Sequence, residues 1–325
     1  MKAYRVVRYD ATLHQTWNDF IESAKNATFL FHRDFMDYHS DRFEDHSVLI
    51  YENDELKGLL PANKKEDTVY THQGLSYGGL VVKEKLKFQT YIQLFEKLLV
   101  FLESEGINIL YWKEFPAIYS AAPSSEWRYV MSILKARLDY TDLLSTIDKN
   151  SDIDMSSDRI KGLKRGRKHG LIVREENDFS KFWIGILTPN LKNRYNVAPV
   201  HALSEIELLK SHFPRNIRQF NVYKDKHLVA GTTIFETPKV AHVQYISADE
   251  KRSALGSLDF LFHYLITKVF RDKPYFDFGT SNESKGQHLN KGLLYWKEGF
   301  GARTVTQDFY KIETKNHLLL KDVLR

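Results

Sequence analysis

The side chains best suited to chemistry crowd into one stretch near the end of the chain. Tyr275-Phe276-Asp277-Phe278-Gly279 reads as a short aromatic strand that ends on an acid and a glycine. The run from Thr280 to Gly292 is polar and carries Asn282, Glu283, Lys285, His288, Asn290 and Lys291. The segment Leu293-Leu294-Tyr295-Trp296-Lys297-Glu298-Gly299-Phe300-Gly301 then closes it with aromatic residues around a single lysine. A loop so dense in titratable and amide groups is either solvated or used. Asp277, Glu283 and His288 are candidate general bases, and His288 has the ordinary pKa best suited to proton transfer near neutrality. Lys297 is a candidate to stabilise developing negative charge, with Asn282, Asn290 and Trp296 as substrate contacts. Each has a plainer reading too: a strand-end Asp caps the next turn, and a Lys between Trp and Phe snorkels.

Two further segments have chemistry-bearing composition. In Thr71-His72-Gln73-Gly74-Leu75-Ser76-Tyr77-Gly78-Gly79-Leu80, three glycines can bring backbone close to a ligand. His72, Gln73 and Tyr77 are therefore candidate substrate contacts, against the alternative of a tight bulged turn. Lys251-Arg252-Ser253-Ala254-Leu255-Gly256-Ser257 lies between a strand containing Tyr245 and a helix beginning near Leu258. Unpaired N–H groups and the helix dipole make such a place an anion site. Tyr245, Lys251, Arg252, Gly256 and Ser257 are its candidate residues, against a solvated turn capped by Ser257.

The elements that must hold these segments occur twice. Ile50-Tyr51-Glu52-Asn53-Asp54-Glu55-Leu56 and Val222-Tyr223-Lys224-Asp225-Lys226-His227-Leu228 are both hairpin patterns with Tyr and Leu five positions apart. Further strands follow each hairpin, near 68–70 and 79–82 in the first half and 240–247 in the second. An amphipathic helix comes next. Tyr91, Leu94, Phe95, Leu98 and Leu102 share a face in the first copy, with Gly106 as a stop. Leu258, Leu261, Phe262, Leu265, Ile266 and Val269 do so in the second, with Asp259, His263 and Thr267 expected on the opposite, polar face. Each helix feeds a strand, 107–112 or 275–278. The matching order of five elements favours an internal duplication. It divides the chain into a domain over 1–150, a basic linker over 151–170 and a domain over 171–325. The linker holds six Lys or Arg within 159–169, and its glycines argue against a long rigid helix while leaving a short helix with a basic outer face open.

Composition bounds what such a chain can be. With 325 residues, 42% hydrophobic and 14% aromatic, there is ample material for packed cores. No cysteine is present, which removes thiol catalysis, disulfides and thiolate metal sites. The 13 histidines show no metal-ligand spacing, and no Gly-x-Ser-x-Gly elbow supports a serine triad. No metal is expected. The start of the chain reads as a strand and not a signal peptide, and no run is apolar enough to span a membrane. These features point to a cytoplasmic location. The basic run invites phosphate or RNA contact but lacks the interleaved aromatics that stack on bases.

The residues above carry a family resemblance. The Lys251–Ser257 turn resembles the donor loop of the GNAT superfamily, Gln/Arg-x-x-Gly-x-Gly/Ala, with Ala254 in place of the central glycine. The Trp296-Lys297-x-x-Phe300 ending is similar to the Phe-Lys-x-x-Phe ending of Fem-like aminoacyltransferases, and Tyr77-Gly78-Gly79 resembles their aromatic-Gly-Gly turn. The resemblance implies an α/β (α+β) architecture: two tandem GNAT-like domains, each a mixed twisted sheet flanked by helices, sharing a central cleft. It implies transfer of an acyl group from acyl-CoA to an amine on a sugar or cell-envelope precursor. Aminoacyl-tRNA as donor, or an inactive GNAT-fold protein that binds a ligand, are the alternatives it leaves open. Partners would be a small-molecule, glycan or peptide-precursor acceptor and, with the second donor, tRNA; no DNA is expected. The first half has no donor loop of its own, because Val81-Val82-Lys83-Glu84-Lys85-Leu86-Lys87 enters its helix without glycine.

Overall fold

A computed structural model describes residues 3–152 and 154–324. Met1 and Lys2 of the expected first strand and Ile153 of the expected linker lie outside the described residues. In unit 1 the chain forms β1 (Tyr4–Arg8), β2 (Val48–Glu52), β3 (Glu55–Leu60), β4 (Asn63–Lys65), β5 (Thr68–Tyr70), β6 (Val81–Val82), α1 (Phe88–Ser104) and β7 (Ile109–Lys113). Unit 2 is built from the second half of β8 (Arg137–Asp148), then α2 (Ser157–Lys168), β9 (Ile172–Glu176), β10 (Ile217–Lys224), β11 (His227–Glu236), β12 (Val240–Ala248), α3 (Ser257–Tyr264), β13 (Tyr275–Thr280) and α4 (Lys291–Glu298). The last strand, β14 (Arg303–Glu313), passes back into unit 1. The compact units comprise residues 1–142 with 306–325, and residues 143–305. They divide the chain elsewhere than the expected positions 150 and 170, because β14 pairs with β7 and returns the C-terminus to the first unit.

The duplicated element order is present in space. β2 and β3 form an antiparallel hairpin, as do β10 and β11. The Tyr–Leu spacing noted in the sequence is a cross-strand pair in both: Tyr51 faces Leu56, and Tyr223 faces Leu228. A register shift falls immediately before the tyrosine each time, between Ile50 and Tyr51 and between Val222 and Tyr223. The turn residues Asn53, Asp54 and Asp225 take the left-handed backbone that Asn and Asp tolerate best. In unit 1 β3 pairs with β6, β4 with β5, β5 runs parallel to β7, and β14 lies antiparallel beside β7. In unit 2 the order is β9-β10-β11-β12-β13-β8, with β12 parallel to β13. A helix makes each parallel crossover, α1 before β7 and α3 before β13. Where β12 runs unbroken, its unit 1 counterpart is split into β5 and β6 by residues 71–80.

Each helix buries the face its periodicity marks. Tyr91, Leu94, Phe95, Leu98 and Leu102 of α1 are buried in the first core, and Leu261 and Phe262 of α3, with Leu265 and Ile266 beyond it, in the second. Asp259 departs from the expected polar face: only 7% of it is exposed. The cause is α2, a twelve-residue helix within the expected basic linker, the short helix with a basic outer face that its composition left open. Gly162, Leu163 and Gly166 of α2 are buried, and Lys161, Lys164, Arg165, Arg167 and Lys168 face outward. Tertiary contact overrides helix propensity here. Glycine is needed because α2 lies so close to the start of α3. A Cβ on Gly166 would lie 2.6 Å from Phe260 Cβ, and one on Gly162 only 1.6 Å from Asp259 Oδ2. Among the described residues no helix is long and apolar enough to cross a membrane.

Gly166→Ala reverses the usual rule. In an exposed helix the change stabilises by about 1 kcal/mol; here the methyl must displace a backbone-anchored carbon, and overpacking costs about 1–3 kcal/mol. Urea denaturation at pH 7 should show a lower midpoint for Gly166→Ala, and a higher one contradicts this packing.

Candidate functional site

Unit 2 contains a cavity of about 590 Å³ where β12 ends and α3 begins. Ile246, Ser247 and Ala248 bring the strand end to it, Arg252 and Ser253 the short helix Arg252–Leu255 that follows, and Leu258 and Asp259 the first turn of α3. α2 contributes Arg159 and Arg165, the helix Thr188–Tyr195 contributes Asn190 and Arg194, and the start of α4 contributes Asn290, Leu293 and Trp296. Four arginines thus meet one carboxylate. Arg159 Nη1 lies 2.7 Å from Asp259 Oδ1. Among the described residues no ion pair is formed by Arg165, Arg194 or Arg252. Guanidinium groups in a concave site with few counter-charges attract a polyanion, phosphate above all. Asn190 is already engaged, donating from Nδ2 to Ser247 Oγ and the Ala248 carbonyl, each at 2.8 Å.

The expected donor residues divide. Arg252 lines the cavity, whereas Lys251 is exposed beside it. Gly256 does take the left-handed backbone, φ 67°, but the space before it is filled by protein: a Cβ there would lie 2.1 Å from the Gly162 carbonyl oxygen. Its N–H donates to the Arg252 carbonyl at 2.8 Å. A bulky residue at 256 would therefore disturb the fold, since α2 occupies that room. Ser257 is wholly buried, and its Oγ has no hydrogen-bond partner among the described residues. Tyr245 is buried on the strand with its hydroxyl 2.5 Å from His201 Nδ1, accepting also from the His201 N–H; burial pushes its pKa up to about 12.

The residues expected on the acceptor side separate as well. Asp277, read from the sequence as a strand-end candidate base, is fully buried. It accepts from Thr146 Oγ1 at 3.1 Å and the Gly279 N–H at 2.8 Å, and its other oxygen is 2.9 Å from His242 Nδ1. Lys297 is 3% exposed and donates from Nζ to the carbonyls of Gly279 at 2.9 Å and Thr280 at 2.7 Å. Burial lowers its pKa to about 8, against the opposing pull of Asp277. Asn282 accepts from the Leu143 N–H at 2.7 Å. Glu283 and His288 face each other across a two-stranded hairpin and are exposed. Asn290 caps α4 by accepting from the Leu293 N–H at 3.0 Å and lines the cavity with Trp296, whose Nε1 donates to Asp259 Oδ1 at 3.0 Å. Asn190, Arg194 and Asp259 carried no motif by which the sequence would have marked them. Arg159 and Arg165 were visible only as members of the basic run.

In unit 1, His72 is buried with φ 67°, and its ring stacks on that of His39 at 5.1 Å. Burial holds its pKa well below the usual value. Tyr77 is buried with its hydroxyl 2.7 Å from Thr28 Oγ1. Gln73 is exposed, accepting from Asn63 Nδ2 at 2.9 Å. Among the described residues no cluster of His, Asp or Glu is placed to hold a metal ion.

No protein-family model matches the chain, and no curated protein sequence matches it significantly. Solved structures do. The crystal structure of FemX is similar over 98% of this chain and 99% of its own, with a TM-score of 0.65 at 12% identity. The fold is therefore like that of FemX. A conserved protein of unknown function from Bacteroides thetaiotaomicron aligns over 96% of this chain and all of its own (TM-score 0.59, 10% identity). L-PGS from Bacillus licheniformis aligns over 96% and 93% (TM-score 0.56, 12% identity). In this Fem-like fold the arginine cavity occupies the strand-to-helix position at which the sequence placed a GNAT donor loop.

The buried Lys297 has a consequence for stability. Its pKa is about 8 when folded and near 10.5 when unfolded, so between those values the unfolded chain binds more protons. The contribution is therefore fully present above about pH 10.5 and is lost as pH falls through about 8. Lys297→Met should remove that rise: the difference in urea stability between wild type and variant, followed from pH 7 to 10.5, should shift in favour of the wild type. A difference that stays flat would place the ammonium in solvent.

Proposed function

We propose that the chain is a transferase of GNAT type. In this reading it moves an acyl group from a phosphate-bearing carrier, acyl-CoA in the first instance, to an amine on a sugar or cell-envelope precursor. The observation that carries the proposal is the arginine-lined cavity at the junction of β12 and α3. Arginine forks match phosphate oxygens, and the apolar wall of Ile246, Leu258 and Leu293 suits the less polar parts of such a carrier. The reaction needs little else. The amine nitrogen attacks the carbonyl carbon of the activated ester, the tetrahedral oxyanion collapses, the carrier's thiolate leaves and takes up a proton, and a base removes the proton that the nitrogen sheds. Glu283 and His288, exposed on their hairpin, are our proposed bases. Asp277 and Lys297 are committed to buried bonds and serve to fix the end of β13.

A second donor is favoured by a specific feature. The outward face of α2 continues the cationic surface beyond Arg165 through Lys161, Lys164 and Lys168. A carrier longer than coenzyme A, such as aminoacyl-tRNA, would meet that face, and the likeness to FemX supports this reading. Binding without transfer would correspond to an inactive relative.

Thermal shift separates these outcomes, because a ligand that binds only the folded state raises the melting temperature. Coenzyme A or deacylated tRNA should do so in the wild-type protein. Arg165→Ala and Arg252→Ala should each weaken that ligand's affinity about 10-fold, since a charge-assisted hydrogen bond contributes about 1.5–3 kcal/mol. A Lys161/Lys164/Lys168 triple alanine variant should weaken tRNA alone. If neither ligand shifts the wild-type melting temperature, the cavity is not a donor site.

A further inference from the structure

Among the described residues Asp259 is the one acid lining a cavity that otherwise presents four arginines. A carboxylate there repels the anion that the arginines attract, so its presence calls for a compensating role. Its bonds supply one. Oδ1 accepts from Arg159 Nη1 at 2.7 Å and from Trp296 Nε1 at 3.0 Å, joining a side chain of α2 to one of α4 from the first turn of α3. The carboxylate is held from three sides. α3 places it three residues into the helix, where the dipole favours an acid. Gly162 leaves the room that its Oδ2 occupies. Burial raises its pKa while the Arg159 charge, the indole hydrogen bond and Arg165 oppose that rise.

The two groups it holds differ in how much they gain. Arginine surrenders much rotamer freedom when ordered, a cost that falls on ligand binding unless the protein has already met it. Arg159 is ordered beforehand: one terminal nitrogen is on Asp259, and its Nε is buried with no partner among the described residues. An indole fixed through its N–H likewise keeps one ring orientation at the cavity wall.

We propose that Asp259 is a positioning residue, which presets Arg159 and Trp296 so that the donor's phosphate meets an already aimed guanidinium beside a fixed indole. The inference rests on the donor reading above. The role belongs to the hydrogen-bond acceptor at Oδ1, and the negative charge is incidental to it. Asn at this position retains the acceptor, and Ala does not.

The test uses inorganic pyrophosphate as a donor-independent probe, with calorimetric Kd values for Asp259→Asn, Asp259→Ala, Arg159→Ala and the Asp259→Ala/Arg159→Ala double variant. Tryptophan emission is read on the same proteins without ligand, with Trp296→Phe as reference for the contribution of that indole. Asp259→Ala should weaken pyrophosphate about 10-fold and shift the Trp296 emission to the red, and Asp259→Asn should bind within about threefold of wild type with the emission unmoved. In the Arg159→Ala background the loss of Asp259 should weaken binding no further, because neighbours acting as a unit are not additive. A purely structural carboxylate would lower the melting temperature of the Ala variant and leave its Kd alone. Unchanged binding by Asp259→Ala, or an Asn variant as weak as the Ala variant, overturns the inference while the donor reading stands. Absence of pyrophosphate binding to the wild-type protein overturns both. Should Asp259→Ala fail to fold, the Asn variant and the Arg159→Ala protein decide the matter by the same criteria.

Discussion

The closeness of α2 to the start of α3 is the constraint on which unit 2 depends. Gly162 and Gly166 set it, and Gly256 accepts it by taking a backbone that leaves its own face bare against the Gly162 carbonyl. Everything distinctive about the cavity follows. α2 comes near enough for Arg159 and Arg165 to line a space otherwise formed by β12 and α3. Asp259, on what would have been a wet helix face, is enclosed and therefore must be bonded. A helix composed of 12 residues with two interior glycines would be marginal alone; here the glycines are what permits its packing, and the packing is what stabilises the helix.

Much of the fold was legible because it rests on local periodicity. The apolar stripe of α1 and the Tyr–Leu spacing of the two hairpins are short-range signals, and both reappear as buried faces and cross-strand pairs. The basic run was legible as charge and as a possible short helix with a basic outer face, but its packing was not legible, since a glycine within it reads as a breaker until its neighbour is known. Asp259 was misplaced for a related reason: a periodic pattern distinguishes core from not-core, and it cannot tell solvent from a second helix. Arg194 and Asn190 had no signal at all, because they reach the cavity through the path of the chain and not through any motif.

The strand-end segment shows a second demand on polar residues. Asp277, Lys297 and Asn282 had the chemistry expected of a site, and each is spent on the backbone where β13 ends. Asp277 takes the Gly279 N–H, Lys297 takes the Gly279 and Thr280 carbonyls, and Asn282 takes the Leu143 N–H. A strand that stops inside a protein leaves polar groups that water cannot reach, and charged or amide side chains meet them. Density of polar residues therefore has a structural reason here, and Glu283 and His288 lie at the exposed tip of the segment.

The duplication sharpens why the cationic cavity lies in unit 2. At the matching place in unit 1, between β6 and α1, the backbone is already occupied by an earlier part of the chain. Lys25 donates its N–H to the Val82 carbonyl at 3.0 Å, Asn26 Oδ1 accepts the Val82 N–H at 2.9 Å, and Asn26 Nδ2 donates to the Leu80 carbonyl at 2.8 Å. Residues 24–26 thus cover the strand end that in unit 2 opens toward arginines. The same architecture gives two outcomes according to what is laid over the junction of strand and helix: a closed hydrogen-bonded seam in one copy, and in the other a helix that glycine lets approach and whose arginines leave the junction charged.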